Sequence, residues 1–213
     1  PTRKNSSWWW LVLLAAAGTF ALTMGTRQTM GFFLSPLNTA TGLGVASISL
    51  AFAFGQLWWG LTQPFAGALA DRVGAGWVLF VGLLLVALGT VLTPLMDSTA
   101  GLILAIGVLA AGGAGMAGPS VLMAATSRLM PAERRGLATG VVNAGGSFGQ
   151  FLMAPVAAAL TASLGWVAAL QVLGVLVLLG LPAAWVLRAR GAGSAGAGAP
   201  PAALPAREAL ARA

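Results

Sequence analysis

The stretch MGTRQTMGFF, residues 24 to 33, sets a guanidinium, Arg27, inside a nearly unbroken apolar run from Trp8 to Leu37. Arginine keeps its charge, and its planar fork binds a carboxylate through two parallel hydrogen bonds. At the middle of a membrane helix such a charge costs roughly 2.5 to 3.5 kcal/mol, which a lipid-facing position does not recover. The predicted chemistry is therefore contact with an anion from a watery cavity. Gln28 is adjacent, and Thr23, Met24, Met30 and Gly31 share the helical face of Arg27. A competing reading has Arg27 snorkel to the outer headgroups from the end of a long first segment.

Other polar side chains recur at helical spacing. Ser49, Gln56 and Gln63 repeat every seven residues and form one stripe, with Gly60 beside it. Asn143, Ser147 and Gln150 occupy one helical face, while Gly145 and Gly149 fall roughly opposite. Small residues four apart admit a neighbouring backbone, and a polar face needs water, substrate or a partner helix. Gln28, Gln56, Asn143, Ser147 and Gln150 thus join Arg27 as candidate substrate contacts. The same side chains also suit plain interhelical hydrogen bonding, worth about 0.6 kcal/mol each. Gly112, Gly115, Gly118 and Pro119 predict close contact and a kink in a fourth segment.

Other chemistries are excluded by what is missing. The 213 residues hold no cysteine and no histidine, so disulfides, thiolate catalysis and Cys or His metal sites are ruled out. The carboxylates, Asp71, Asp97, Glu133 and Glu208, lie near or beyond predicted membrane ends, which leaves no paired-carboxylate catalyst. There is no nucleophile and base set, phosphate loop or dinucleotide fingerprint. The expectation is a protein that is not an enzyme and has no cofactor and no metal.

The elements that position these residues follow from hydropathy. Hydrophobic residues make up 58% of the chain and charged ones 7%, against about 25% charged in a soluble domain. A spanning helix needs roughly 20 mostly apolar residues. Six such stretches are read, at about 8 to 34, 46 to 70, 77 to 96, 100 to 126, 136 to 162 and 166 to 188. Continuous apolarity favours helices over membrane strands, which alternate. The predicted fold is all-α, with six transmembrane helices in a domain spanning 8–188. Residues 1–7 precede it, and 189–213, rich in Gly, Ala and Pro, read as a flexible cytoplasmic tail or linker. The third and sixth segments, poor in polar residues, are expected to face lipid.

With a cytoplasmic amino terminus, every basic residue except Arg27 falls on the inner side, as the positive-inside rule requires. The net charge of +7 then needs no nucleic-acid partner. The predicted location is the inner (plasma) membrane, with both termini cytoplasmic. Trp8 to Trp10, Trp77, Trp166 and Trp185 fall at predicted interfaces, whereas Trp58 and Trp59 sit near mid-membrane. A cleaved secretory signal at Ala15 to Ala17 is an alternative for the first segment, opposed by the apolar run continuing to Leu37.

The turn after the second segment, GALADRVG from Gly67 to Gly74, resembles the GxLADRxG signature that major facilitator superfamily transporters carry between their second and third helices. The resemblance implies one six-helix half of that fold and a conformational latch at Gly67, Asp71, Arg72 and Gly74. The family pattern usually continues with basic residues, whereas Ala75 and Gly76 follow here. MPAERRGLATGVVNAGGSFGQFLMAP, Met130 to Pro155, and SLGW, Ser163 to Trp166, are similar to the monocarboxylate transporter family and its bacterial relatives. That family carries a lysine at the offset which Arg27 keeps from Phe32 and Phe33, and the resemblance implies an anion-contact role for Arg27. It implies a secondary-active transporter of a small organic anion such as a monocarboxylate, set in a lipid bilayer and completed by a second six-helix half. Alternatives are an exporter of neutral or cationic compounds within the superfamily, and a non-transporting six-helix scaffold.

Overall fold

The computed structural model of the chain describes residues 6–188, with side chains from Trp8 onward. The tail 189–213 and residues 1–5 lie outside the described residues. The first crossing begins with α1 (Ser6–Thr29), tightens into a 3₁₀ turn at Met30–Phe33 and continues as α2 (Leu34–Thr41). It stops where Gly42 adopts a left-handed conformation and returns its N–H to the Asn38 carbonyl. The run is longer than the 8 to 34 read from hydropathy, because Leu37 stays fully buried and extends the packed face.

Helix α3 (Val45–Val73) runs almost directly into α4 (Ala75–Leu92). The expected DRVGAG loop is mostly helical, and Gly74 alone makes the break, at φ 93°. The fourth crossing is composite: α5 (Thr99–Leu102), a π-helical stretch at Ile103–Ala111, α6 (Gly112–Met116), and α7 (Pro119–Leu129). Gly118 and Pro119 mark the predicted kink, with proline at the first turn of α7, where its missing N–H costs nothing.

The last helical stretch, α8 (Arg135–Val177) followed by α9 (Leu181–Arg188), is interrupted at Gly165, at φ 80° and ψ 163°. Among the described residues five stretches are long and apolar enough to cross a membrane, and the last, counted from Ala132 to Arg188, spans 57 residues. At about 1.5 Å per residue that is close to three times a bilayer core of about 30 Å, so it is not one crossing. Before the break, α8 runs parallel to α1, with Gly145 against Ala17 and Gly149 against Ala21. After it, the chain runs antiparallel to α4, with Gly174 against Ala87 and Val91 and Ala184 against Gly76. The backbone at Gly165 lies in a region closed to other residues. Gly165→Ala is expected to lose about 1 to 3 kcal/mol of stability, read as a lower thermal midpoint in detergent.

Two apolar clusters form the core. One joins Val12, Leu13, Leu79, Leu83, Val121, Leu122 and Val177; the other joins Phe33, Leu37, Ile48, Leu102, Leu170 and Leu173. Most buried threonines among the described residues are satisfied by donating to carbonyls one turn back, as Thr90 does to Val86 at 2.8 Å. The exposed side chains of α4 are apolar, including Trp77, Phe80, Val81, Leu84 and Leu88, as are Val167, Val175 and Leu179 after Gly165. This composition fits the expected lipid contact of those two segments.

Candidate functional site

A cavity of ≈ 270 Å³ is lined from one side by the end of α1 and from another by α3, with Val86 and Thr90 of α4 and Ile106, Ala110 and Ala111 of the π-helical stretch completing its wall. Arg27, Gln28 and Gln56 line it, together with Thr26, Met30, Gly31 and Phe52. Three of the sequence-proposed contacts are thereby brought together from two helices.

Arg27 is partly buried in the wall of this space. Its guanidinium lies 4.4 Å from the ring centre of Trp59, and its Nη1 donates to Met24 Sδ at 3.7 Å. Among the described residues no carboxylate meets it, and its Nη2 is buried with no hydrogen-bond partner. The guanidinium therefore packs against Trp59 and Met24 and is not sealed by an acid among the described residues. Stacking on an indole stabilises the cation by about 0.5 to 2 kcal/mol, less than a buried charge needs, and leaves the donor edge of the fork available.

Gln28 Nε2 donates to Gln150 Oε1 at 3.2 Å, tying the rim of the cavity on α1 to α8. Asn143 and Ser147, about two turns and one turn before Gln150, are exposed and stand outside the cavity lining. Ser49 and Gln56 are exposed along α3 as well. Polar side chains on both helices are thus left exposed, where hydrocarbon does not satisfy them. Gln63 instead accepts from Ser120 Oγ at 3.1 Å and joins α3 to α7.

Glycines set the helix spacing behind this surface. A Cβ on Gly149 would lie 2.1 Å from the Ala21 carbonyl oxygen, and one on Gly145 2.5 Å from that of Ala17. The pairing predicted from their four-residue spacing is present, and it fixes α1 with Arg27 turned to α3.

At the far end of the bundle, Asp71 forms an ion pair with Arg128. Asp71 ends α3, where the helix dipole disfavours an anion, and Arg128 ends α7, where it favours a cation, so the pair settles an otherwise unfavourable carboxylate. Arg72 is exposed, with Gly67 on α3 and Gly74 just past its end on either side of Asp71 and Arg72 in sequence. The departure at Ala75 and Gly76 also has a physical reason: a Cβ on Gly76 would lie 2.4 Å from Arg188 Cβ, so no basic side chain fits there. Arg134 over Trp9 at 4.5 Å and Arg188 over Trp77 at 5.4 Å place arginines and tryptophans at this same end. Both partners of the ion pair are about half exposed. Asp71→Asn is expected to change stability by no more than about 1 kcal/mol, checked by thermal unfolding.

Sequence reasoning did not single out Trp59, Thr26, Phe52 or the π-helical stretch as site elements. Trp59 left a signal in its mid-membrane position. The π-helical stretch left none, since its residues, ILAIGVLAA, read as an ordinary apolar helix.

Comparison with known proteins bears on this arrangement. A family model described as Major Facilitator Superfamily matches residues 5–212. Monocarboxylate transporter 14 of Mus musculus is 31% identical over 164 residues, covering 74% of this chain and 30% of the mouse protein. The matched region is thus under a third of that relative's length.

Proposed function

The chain belongs to the Major Facilitator Superfamily and resembles its monocarboxylate transporters, and from that premise we propose that it forms a six-helix half of a secondary-active transporter for a small organic anion such as a monocarboxylate. The single observation behind the substrate class is the partnerless Nη2 of Arg27, a fixed positive charge beside a cavity that offers it no anion of its own. Its flanking liners Gln28 and Gln56 suit the carboxylate's remaining lone pairs or its water shell. Gln150, Ser147 and Asn143 belong to the surface that meets a second six-helix half, between which and this one the substrate path runs.

The six-span count follows in this reading from a turn at Gly165 dividing the last stretch. Both termini are cytoplasmic and the membrane is the inner (plasma) membrane, because the arginine-rich end of the bundle is then inside. Asp71, Arg72, Gly67 and Gly74 form a latch there, closed by Arg128 and released as the halves rock. Uptake of labelled propanoate into proteoliposomes of the full-length protein, wild type against Arg27→Gln, tests the site. Propanoate uptake that depends on Arg27 supports the reading. Uptake unchanged by the substitution, or transport confined to neutral or cationic solutes, removes it.

A further inference from the structure

Among the described residues two buried side-chain polar atoms lack a hydrogen-bond partner, Arg27 Nη2 and Thr26 Oγ1, and both residues border the same cavity. Thr26 is an exception among its own kind. Seven threonines among the described residues are fully buried, and the other six, Thr19, Thr23, Thr29, Thr90, Thr93 and Thr126, donate to carbonyls of their own helices. That internal bond is the ordinary way for a buried hydroxyl in an apolar helix to be satisfied. The Thr26 carbonyl is even taken by Thr29 Oγ1 at 2.8 Å, while the Thr26 hydroxyl is left over. Thr26 lines the cavity and its hydroxyl has no hydrogen-bond partner among the described residues, so it keeps a donor for something that enters.

We infer that Thr26 is a second substrate contact: its hydroxyl donates to the carboxylate whose charge Arg27 neutralises, so that two adjacent residues of α1 hold the anion from two directions. The inference rests on the anion reading of the cavity and deepens it. A carboxylate presents two oxygens with lone pairs in one plane, and the guanidinium edge and the hydroxyl supply donors of different reach. The apolar walls from Met30, Phe52 and Ile106 then face the alkyl part, which restricts the site to compact acids. An amide of the same shape keeps one acceptor and no charge, so it is excluded.

The test compares Thr26→Val, which keeps the shape and removes the hydroxyl, with Thr26→Ser, which keeps the hydroxyl and removes the methyl. Propanoate uptake by the full-length protein in proteoliposomes gives KM and maximal rate, and propanamide serves as the neutral control. Thr26→Val is expected to raise KM for propanoate on the order of 10-fold, the scale of one hydrogen bond to a charged group, with Thr26→Ser close to wild type. A packing role would instead follow side-chain volume, leaving Thr26→Val near wild type and harming Thr26→Ser. Should Thr26→Val fail to fold, Thr26→Ala replaces it, and rescue by serine but not alanine carries the same meaning. KM unchanged in the hydroxyl-free variant, with uptake still lost in Arg27→Gln, overturns the role of Thr26 alone. Uptake retained in Arg27→Gln overturns the anion site itself and Thr26 with it.

Discussion

Gly149→Val is expected to leave little folded protein, because the first carbon of the new side chain meets the Ala21 carbonyl oxygen at 2.1 Å. Real Cβ contacts are not made at that distance, and the obstacle is backbone, which has no rotamer to yield. Helices α1 and α8 must separate along the seam that Gly145 and Gly149 share, losing contacts with Ala17, Ala21 and Gly25 together. The loss should lie at the upper end of overpacking, on the order of 3 to 5 kcal/mol, a large fraction of a typical domain's stability. Gly18→Ala is the matched control on α1, where an added Cβ meets nothing within 4 Å. It should be neutral or slightly stabilising, since alanine favours helix by about 1 kcal/mol. Monodispersity in detergent and the thermal midpoint separate the two, and a well-folded Gly149→Val protein would refute the seam as drawn.

The second large effect falls on function and spares the fold. Arg27→Gln removes a half-buried cation that no carboxylate offsets among the described residues, so stability should hold or rise slightly once the lost stacking on Trp59 is counted. Carboxylate uptake should fall on the order of 100-fold, since one charge and a pair of charge-assisted hydrogen bonds go together. Arg27→Lys keeps the charge but replaces a planar fork by a point donor, and should cost about 10-fold. The order arginine, lysine, glutamine at constant thermal midpoint is the signature of an anion contact. A structural arginine would show the reverse: a shifted midpoint with transport following the amount of folded protein.

Much of the fold was legible because the membrane constrains it strongly. Backbone groups in hydrocarbon must bond within their own helix, so long apolar stretches announce helices directly. The threonines that stay inside the core announce the same rule by folding back on their carbonyls. Boundaries were less legible. The turn between α3 and α4 shrank to Gly74, and the first crossing ran on to Thr41, because packing at Leu37 and the backbone freedom of one glycine settle where a helix ends.

The sequence by itself determined that Arg27 sits in an apolar helix, that Gly145 and Gly149 offer a close-packing face, and that Gln28 and Gln56 have no place in lipid. These follow from local composition and the 3.6-residue repeat, which act within one helix. Only the tertiary structure decided which partners they meet. Trp59 came under the guanidinium and Arg128 to Asp71 from helices distant in sequence, and Asn143 and Ser147 stayed outside the cavity that Gln28 and Gln56 line. The lone hydroxyl of Thr26 also emerged only there, since a hydrogen bond that is not made leaves no mark on periodicity. Helical pattern fixes the face a residue takes, whereas the rotation and spacing of neighbouring helices, set by glycine contacts, fix what that face sees.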